Sequence, residues 1–75
     1  MEIESKRRLA LILSEEESTE VDWLAVASMS TDLLQQLSPP VPVVVEAFLT
    51  QYAIRKADPL FARSQRLQLA SYLRT

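Results

Sequence analysis

The sequence lacks four residue types, and each absence excludes a class of site. Glycine, cysteine, histidine and asparagine do not occur among its 75 residues. Without cysteine there is no disulfide and no thiolate zinc site, and without histidine the usual proton carrier at neutral pH is missing. Without glycine the chain has no phosphate-binding loop of the P-loop or dinucleotide type. A serine–lysine pair is the nucleophilic arrangement that remains, yet neither Lys6 nor Lys56 lies in a motif that places it near a serine. We therefore expect no catalytic residues, no metal, no cofactor and no small-molecule substrate.

Length and composition indicate one small folded domain. Seventy-five residues suffice for a single domain, whether it stands alone or belongs to a longer chain. Apolar residues make up 48% and charged residues 24%, which is too apolar for a disordered chain. No apolar run approaches the 18 residues of a membrane span, and the first residues lack the basic and apolar regions of a signal peptide. We expect a cytoplasmic protein with no membrane contact.

Charge is unevenly distributed along the chain. The net charge is −2, and no lysine or arginine occurs between residues 9 and 54. Beyond Glu46, five cations face only Asp58; they are Arg55, Lys56, Arg63, Arg66 and Arg74. An acidic middle joined to a basic end is compatible with a polyanion-binding surface, with head-to-tail association of two copies, or with neutralisation inside one protomer.

Hydrophobic periodicity predicts an all-α fold. We expect a compact bundle of three to four antiparallel helices at about 2–14, 20–37, 42–56 and 59–73. The spacing of residues 20–37 keeps one apolar stripe in phase, which favours a single bent helix over two helices. The Pro39–Pro42 segment and the Asp58–Pro59 step mark the later helix boundaries.

The first helix has the least regular pattern. Ile3, Leu9, Ala10 and Leu13 fall on one broad face, and residues 9–13 alone would also suit a short strand. Glu2 with Lys6 and Glu4 with Arg8 have the spacing of stabilising ion pairs on a helix.

The acidic run after this helix predicts a solvated link. We place the link at residues 15–18, with Glu15, Glu16 and Glu17 in water. The second helix then begins near residues 19–20, capped by Ser18 or Thr19, although Ser14 with Glu17 also fits a capping box.

The fourth helix is apolar on several sides. Leu60, Leu67 and Ala70 lie on one side, Phe61 and Tyr72 on a second, and Ala62, Leu69 and Leu73 on a third. A small bundle has no central helix that is covered on all sides, so we expect this helix to contact another chain. The predicted interface consists of Phe61, Leu69, Tyr72 and Leu73 with Leu49 and Ile54. The chain is thus interpreted as a protein–protein interaction, regulatory or adaptor module that self-associates, most simply as a twofold homodimer.

Nucleic-acid binding is the alternative hypothesis. The basic carboxy-terminal helix pair would contact phosphates through Arg55, Lys56, Arg63, Arg66 and Arg74. Such domains are typically strongly basic, whereas this chain has a pI near 5.0. We therefore favour a protein partner over nucleic acid.

Overall fold

The computed structural model describes residues 3–75, which form five α-helices and no strand. The helices are α1 (Ile3–Glu16), α2 (Trp23–Gln36), α3 (Val43–Thr50), α4 (Tyr52–Ala57) and α5 (Pro59–Leu73). The all-α prediction is confirmed. The predicted third helix is two helices, because Gln51 leaves the helical conformation with φ −107° and ψ 25°. The predicted second helix is continuous, as its apolar phase indicated.

Aspartate side chains set the starts of α2 and α5. Asp58 accepts hydrogen bonds from the backbone N–H groups of Leu60 (3.1 Å) and Phe61 (3.2 Å), and Pro59 occupies the first turn, as the sequence predicts. Asp22 accepts from the N–H of Ala25 at 3.1 Å and so begins α2.

The link between α1 and α2 lies later in the chain than predicted. Helix α1 continues through Glu15 and Glu16, and α2 begins at Trp23 rather than near residues 19–20. Asp22 takes the capping role expected of Ser18 or Thr19, because a cap there lets Val21 pack against the apolar core immediately before the helix. The link therefore comprises residues 17–22.

The ion pairs of α1 also differ from the prediction. Glu4 pairs with Arg7 at 3.6 Å on the exposed surface, while Arg8 donates to the side chain of Gln36 on α2. The predicted pair between Glu2 and Lys6 and the helix start at residue 2 lie outside the described residues.

The buried face of α1 is rotated from the one predicted. The helix buries Ser5, Leu9, Ile12 and Glu16, which recur at spacings of three and four. Ile3, at 79% exposure, and Ala10 lie in solvent. The apolar run from Leu9 to Leu13 is compatible with several buried faces of the helix. The prediction chose the face that includes Ile3, and that choice was wrong because Ile3 is exposed.

The helices occupy four corners around one core. Helices α2 and α5 do not pack side by side, whereas α1 and the α3–α4 pair each contact both of them. Helices α2 and α5 are therefore diagonal neighbours, and their outward faces point to opposite sides of the bundle. Eight buried side chains form the core between them: Leu9, Ile12, Val26, Leu33, Val45, Phe48, Leu49 and Leu69.

The hydroxyl of Ser30 is buried in α2 without a hydrogen-bond partner within the described residues. A buried, unpaired polar group destabilises a fold by about 1–3 kcal/mol. We expect Ser30→Ala to raise the free energy of unfolding by about 1 kcal/mol more than Ser28→Ala, the matched change at an exposed position of the same helix. Urea denaturation of the two variants measures the difference, and equal effects would contradict it.

Candidate functional site

The guanidinium of Arg55 is fully buried at the centre of a polar network. Its Nε lies 2.8 Å from Oε1 of Glu16, and its Nη2 lies 2.7 Å from Oε2, so the two groups form a two-pronged ion pair. Both side chains have no exposed surface. The plane of the guanidinium also stacks on Phe48, with Cζ 3.8 Å from the centre of the ring.

The second amino group of Arg55 satisfies groups on two further helices. Nη1 donates to the backbone carbonyl of Phe48 at 2.6 Å and to Oε1 of Gln65 at 2.6 Å. The Phe48 carbonyl belongs to the last turn of α3, so the arginine caps this helix at the point where the predicted third helix breaks. Gln65 in turn donates from Nε2 to Oε1 of Gln51, the residue at the break, at 2.7 Å.

A second cation completes the network. Nε of Arg66 lies 3.1 Å from Oε1 of Glu16, with about a quarter of the Arg66 side chain exposed. We refer to Glu16, Gln51, Arg55, Gln65 and Arg66 as the polar centre. It joins α1, the α3–α4 break and α5, which are distant in sequence. One carboxylate thus faces two cations, and hydrogen bonds to glutamine and backbone satisfy the remaining donors of Nη1.

The polar centre contradicts two assignments made from sequence. Glu16 was expected in a solvated link, but it is buried because α1 extends to it. Arg55 was assigned to a basic surface, but it lies in the core, and Arg66 turns inward to the same carboxylate. The five cations of the nucleic-acid hypothesis therefore do not share one solvent face.

A signal for the polar centre exists in the helix phases. Glu16 follows Leu9 and Ile12 at core spacing, Gln65 lies between Ala62 and Leu69, and Arg55 lies seven residues after Phe48. Glu16 and Gln65 thus occupy apolar phases of α1 and α5, whereas the spacing from Phe48 on α3 to Arg55 on α4 crosses the break at Gln51. The sequence prediction placed these charged residues in solvent because charged side chains are mostly exposed in folded proteins.

The predicted interface residues do not form one exposed patch. Leu49 and Leu69 are buried in the core of a single protomer. Phe61, Tyr72 and Leu73 are half-buried, and Ile54 is 47% exposed. Leu49 and Leu69 are covered because α3 and α5 pack directly on each other.

The exposed apolar surface of α5 lies on a different side of the helix. Leu60 is 80% exposed and Leu67 is 60% exposed, one heptad apart. The exposed residues Arg63, Ser64, Ser71 and Arg74 fall on the same side at helical spacing. Within residues 3–75, neither Arg63 nor Arg74 forms an ion pair with a carboxylate. We call this surface, formed by Leu60, Arg63, Ser64, Leu67, Ser71 and Arg74, the basic outer face.

Two shallow, open grooves also mark the surface. One, of about 240 Å³, lies between α2 and α4 and is lined by Trp23, Leu24, Ala27, Tyr52, Ala53 and Lys56. The other, of about 450 Å³, runs along the proline connector beside Ser5 and Gln36. Neither groove contains a buried charged group. Among the described residues, no helix has the length and apolar character needed to cross a membrane.

Comparison of the chain with protein-family models, with curated proteins and with solved structures finds no match.

The polar centre predicts strong coupling between Glu16 and Arg55. Removing one partner of a buried ion pair leaves an uncompensated group, so we expect Arg55→Met to lower the free energy of unfolding by about 3–5 kcal/mol. The double variant Glu16→Met with Arg55→Met is expected to be less destabilised than the sum of the two single variants. Denaturant titration of all four proteins measures the coupling.

Arg63→Met, at an exposed arginine, serves as control with a change in the free energy of unfolding within about 0.5 kcal/mol. Additive single effects would contradict the coupling.

Proposed function

We propose that the protein is a small helical interaction module, regulatory or adaptor in role and without catalytic activity, that self-associates through the basic outer face of α5. The observation that supports this proposal is the pair of exposed leucines, Leu60 and Leu67, one heptad apart on that face. Their spacing is that of residues at which two helices pack against each other.

The fold itself does not require these leucines. Helix α5 attaches to the protomer through Ala62, Gln65 and Leu69, which are buried on its opposite side. Leu60 and Leu67 lie outside the apolar core and its half-buried surroundings. Burial of one leucine side chain yields about 1.5–3 kcal/mol, so covering both supports a weak to moderate association.

The interface residues predicted from the sequence contribute little to the proposed contact. Phe61, Tyr72 and Leu73 are half-buried residues of α5, so a partner would cover their edges at most. Leu49 and Leu69 are buried in the protomer and cannot contact a partner. The interface thus moves from the side of α5 named in the sequence prediction to its outer side.

The nucleic-acid hypothesis has less support. Of the five cations it requires, Lys56, Arg63 and Arg74 are exposed, and Glu16 engages the other two. Three exposed cations on a chain of net charge −2 offer few phosphate contacts. We therefore do not propose it.

The self-association is tested by sedimentation velocity over a concentration series. We expect the mean mass of the wild-type protein to rise with concentration. Leu67→Gln is expected to shift this rise to about 10-fold higher concentration or more, because one leucine leaves the interface.

Leu11→Gln is the matched control, since Leu11 on α1 is also 60% exposed but lies outside α5. It should leave the association unchanged. A wild-type protein that stays monomeric to high micromolar concentration would overturn the proposed self-association. Equal effects of Leu67→Gln and Leu11→Gln would show that the self-association does not use α5.

A further inference from the structure

We propose that the basic outer face of one copy binds the outward side of α2 in a second copy, so that protomers join head to tail. This inference rests on the proposed function and specifies the partner surface of α5. The exposed side of α2 contains Leu24, Ser28, Thr31, Asp32 and Gln35. We call these five residues the acidic outer face.

The charge on and beside the two faces is complementary, with Asp32 as the one carboxylate within the acidic outer face. Helix α2 contains no cation, and the link that precedes it exposes Glu17, Glu20 and Asp22. Helix α5 contains no acidic residue, and its outer face exposes Arg63 and Arg74. A second copy therefore offers a matching partner for each face.

The apolar and charged positions are also spaced alike. Leu24 and Asp32 are eight positions apart, which is about 12 Å along α2. Leu67 and Arg74 are seven positions apart, which is about 10 Å along α5. With the two helices parallel, Leu67 meets Leu24, which is 86% exposed, while Arg74 meets Asp32.

The same alignment places the remaining arginine next to acids. Arg63 lies four positions before Leu67, about 6 Å toward the start of α5. In the parallel arrangement it therefore lies beside the acidic link of the second copy, at residues 17–22. An antiparallel arrangement about the same leucine contact would bring Leu60 rather than a cation close to Asp32. The parallel arrangement thus pairs Leu67 with Leu24 and the two arginines with acids, while Leu60 lies beyond the start of α2, beside the link of the second copy.

A groove residue lies near one edge of this contact. Lys56 on α4 lines the α2–α4 groove with Trp23 and Leu24. It borders the amino-terminal half of the acidic outer face, whereas Asp32 lies two turns further along α2. We therefore base the test on Asp32 and Arg74.

The arrangement of helices determines the type of assembly. Because α2 and α5 are diagonal in the bundle, one twofold contact cannot use both faces of both copies. After one contact, one copy keeps its acidic outer face unused and the other keeps its basic outer face unused, so the contact is heterologous and adds further copies. A twofold contact of α5 with α5 would instead bring four arginines together without a carboxylate from either helix.

Charge reversal distinguishes these arrangements. We expect Asp32→Arg alone and Arg74→Glu alone each to shift the association to about 10-fold higher concentration at low salt, because each variant opposes two like charges. An equimolar mixture is expected to recover wild-type association, since the introduced arginine of one variant then meets the introduced glutamate of the other. Sedimentation velocity measures all three samples, and circular dichroism verifies that each variant is folded.

Glu46→Arg is the control, because it makes the same charge change at an exposed position of α3. It should leave the association unchanged. If Asp32→Arg has no effect while Leu67→Gln weakens association, the head-to-tail contact is overturned and the role of α5 stands. If the mixture does not recover association, the direct pairing of residues 32 and 74 is overturned. A monomeric wild-type protein would overturn both the self-association through α5 and the head-to-tail contact.

Discussion

The ion pair between Glu16 and Arg55 is the interaction on which the arrangement of the helices depends. The chain has no disulfide, and a domain of this size buries a limited apolar core. The polar centre links α1, α4 and α5 through one guanidinium whose geometry fixes three directions at once. A buried ion pair is often no more stabilising than an apolar pair of similar volume. We infer that its contribution here is to specify which helix ends meet.

The same interaction explains why the predicted third helix is broken. Arg55 donates to the carbonyl of Phe48 and lies over its ring, and α4 turns relative to α3 at Gln51, between the two residues. Gln51 then contributes its own side chain to Gln65. The break is therefore part of the polar centre, and the capping of α3 by a side chain replaces the glycine that commonly ends helices.

The polar centre also determines which charges remain outside. Glu16 neutralises Arg55 and engages Arg66, so the basic end of the chain has fewer free cations than its sequence implies. Arg63 on α5 and Arg74, the residue that caps the carboxy-terminal end of α5, remain exposed on the same side as Leu60 and Leu67. The surface proposed for self-association thus contains the arginines of the carboxy-terminal region that do not pair with Glu16.

Much of the fold was predictable, and the site was not. The phase of residues 20–37, the proline connector and the Asp58–Pro59 step each follow from local chemistry, and the structure has them where the sequence predicts. The start of α2 was misplaced, because the choice of Asp22 over Ser18 or Thr19 as cap depended on the tertiary contact of Val21. Glu16 and Arg55 are each buried because the other is its ion-pair partner, and the two are 39 positions apart in the sequence. Patterns of neighbouring residues cannot predict a contact over that separation. A charged residue in the apolar phase of a helix, such as Glu16 on α1, indicates a buried partner of opposite charge.

The most direct test of this account is solvent exchange of the Arg55 side chain, observed by nuclear magnetic resonance of the guanidinium N–H groups. We expect the Nε proton of Arg55 to exchange with water much more slowly than that of Arg63, because Glu16 holds it in a dry interior. We also expect separate signals for the Nη protons of Arg55, because their hydrogen-bond partners block rotation. Exchange of Arg55 as fast as that of Arg63 would contradict the account.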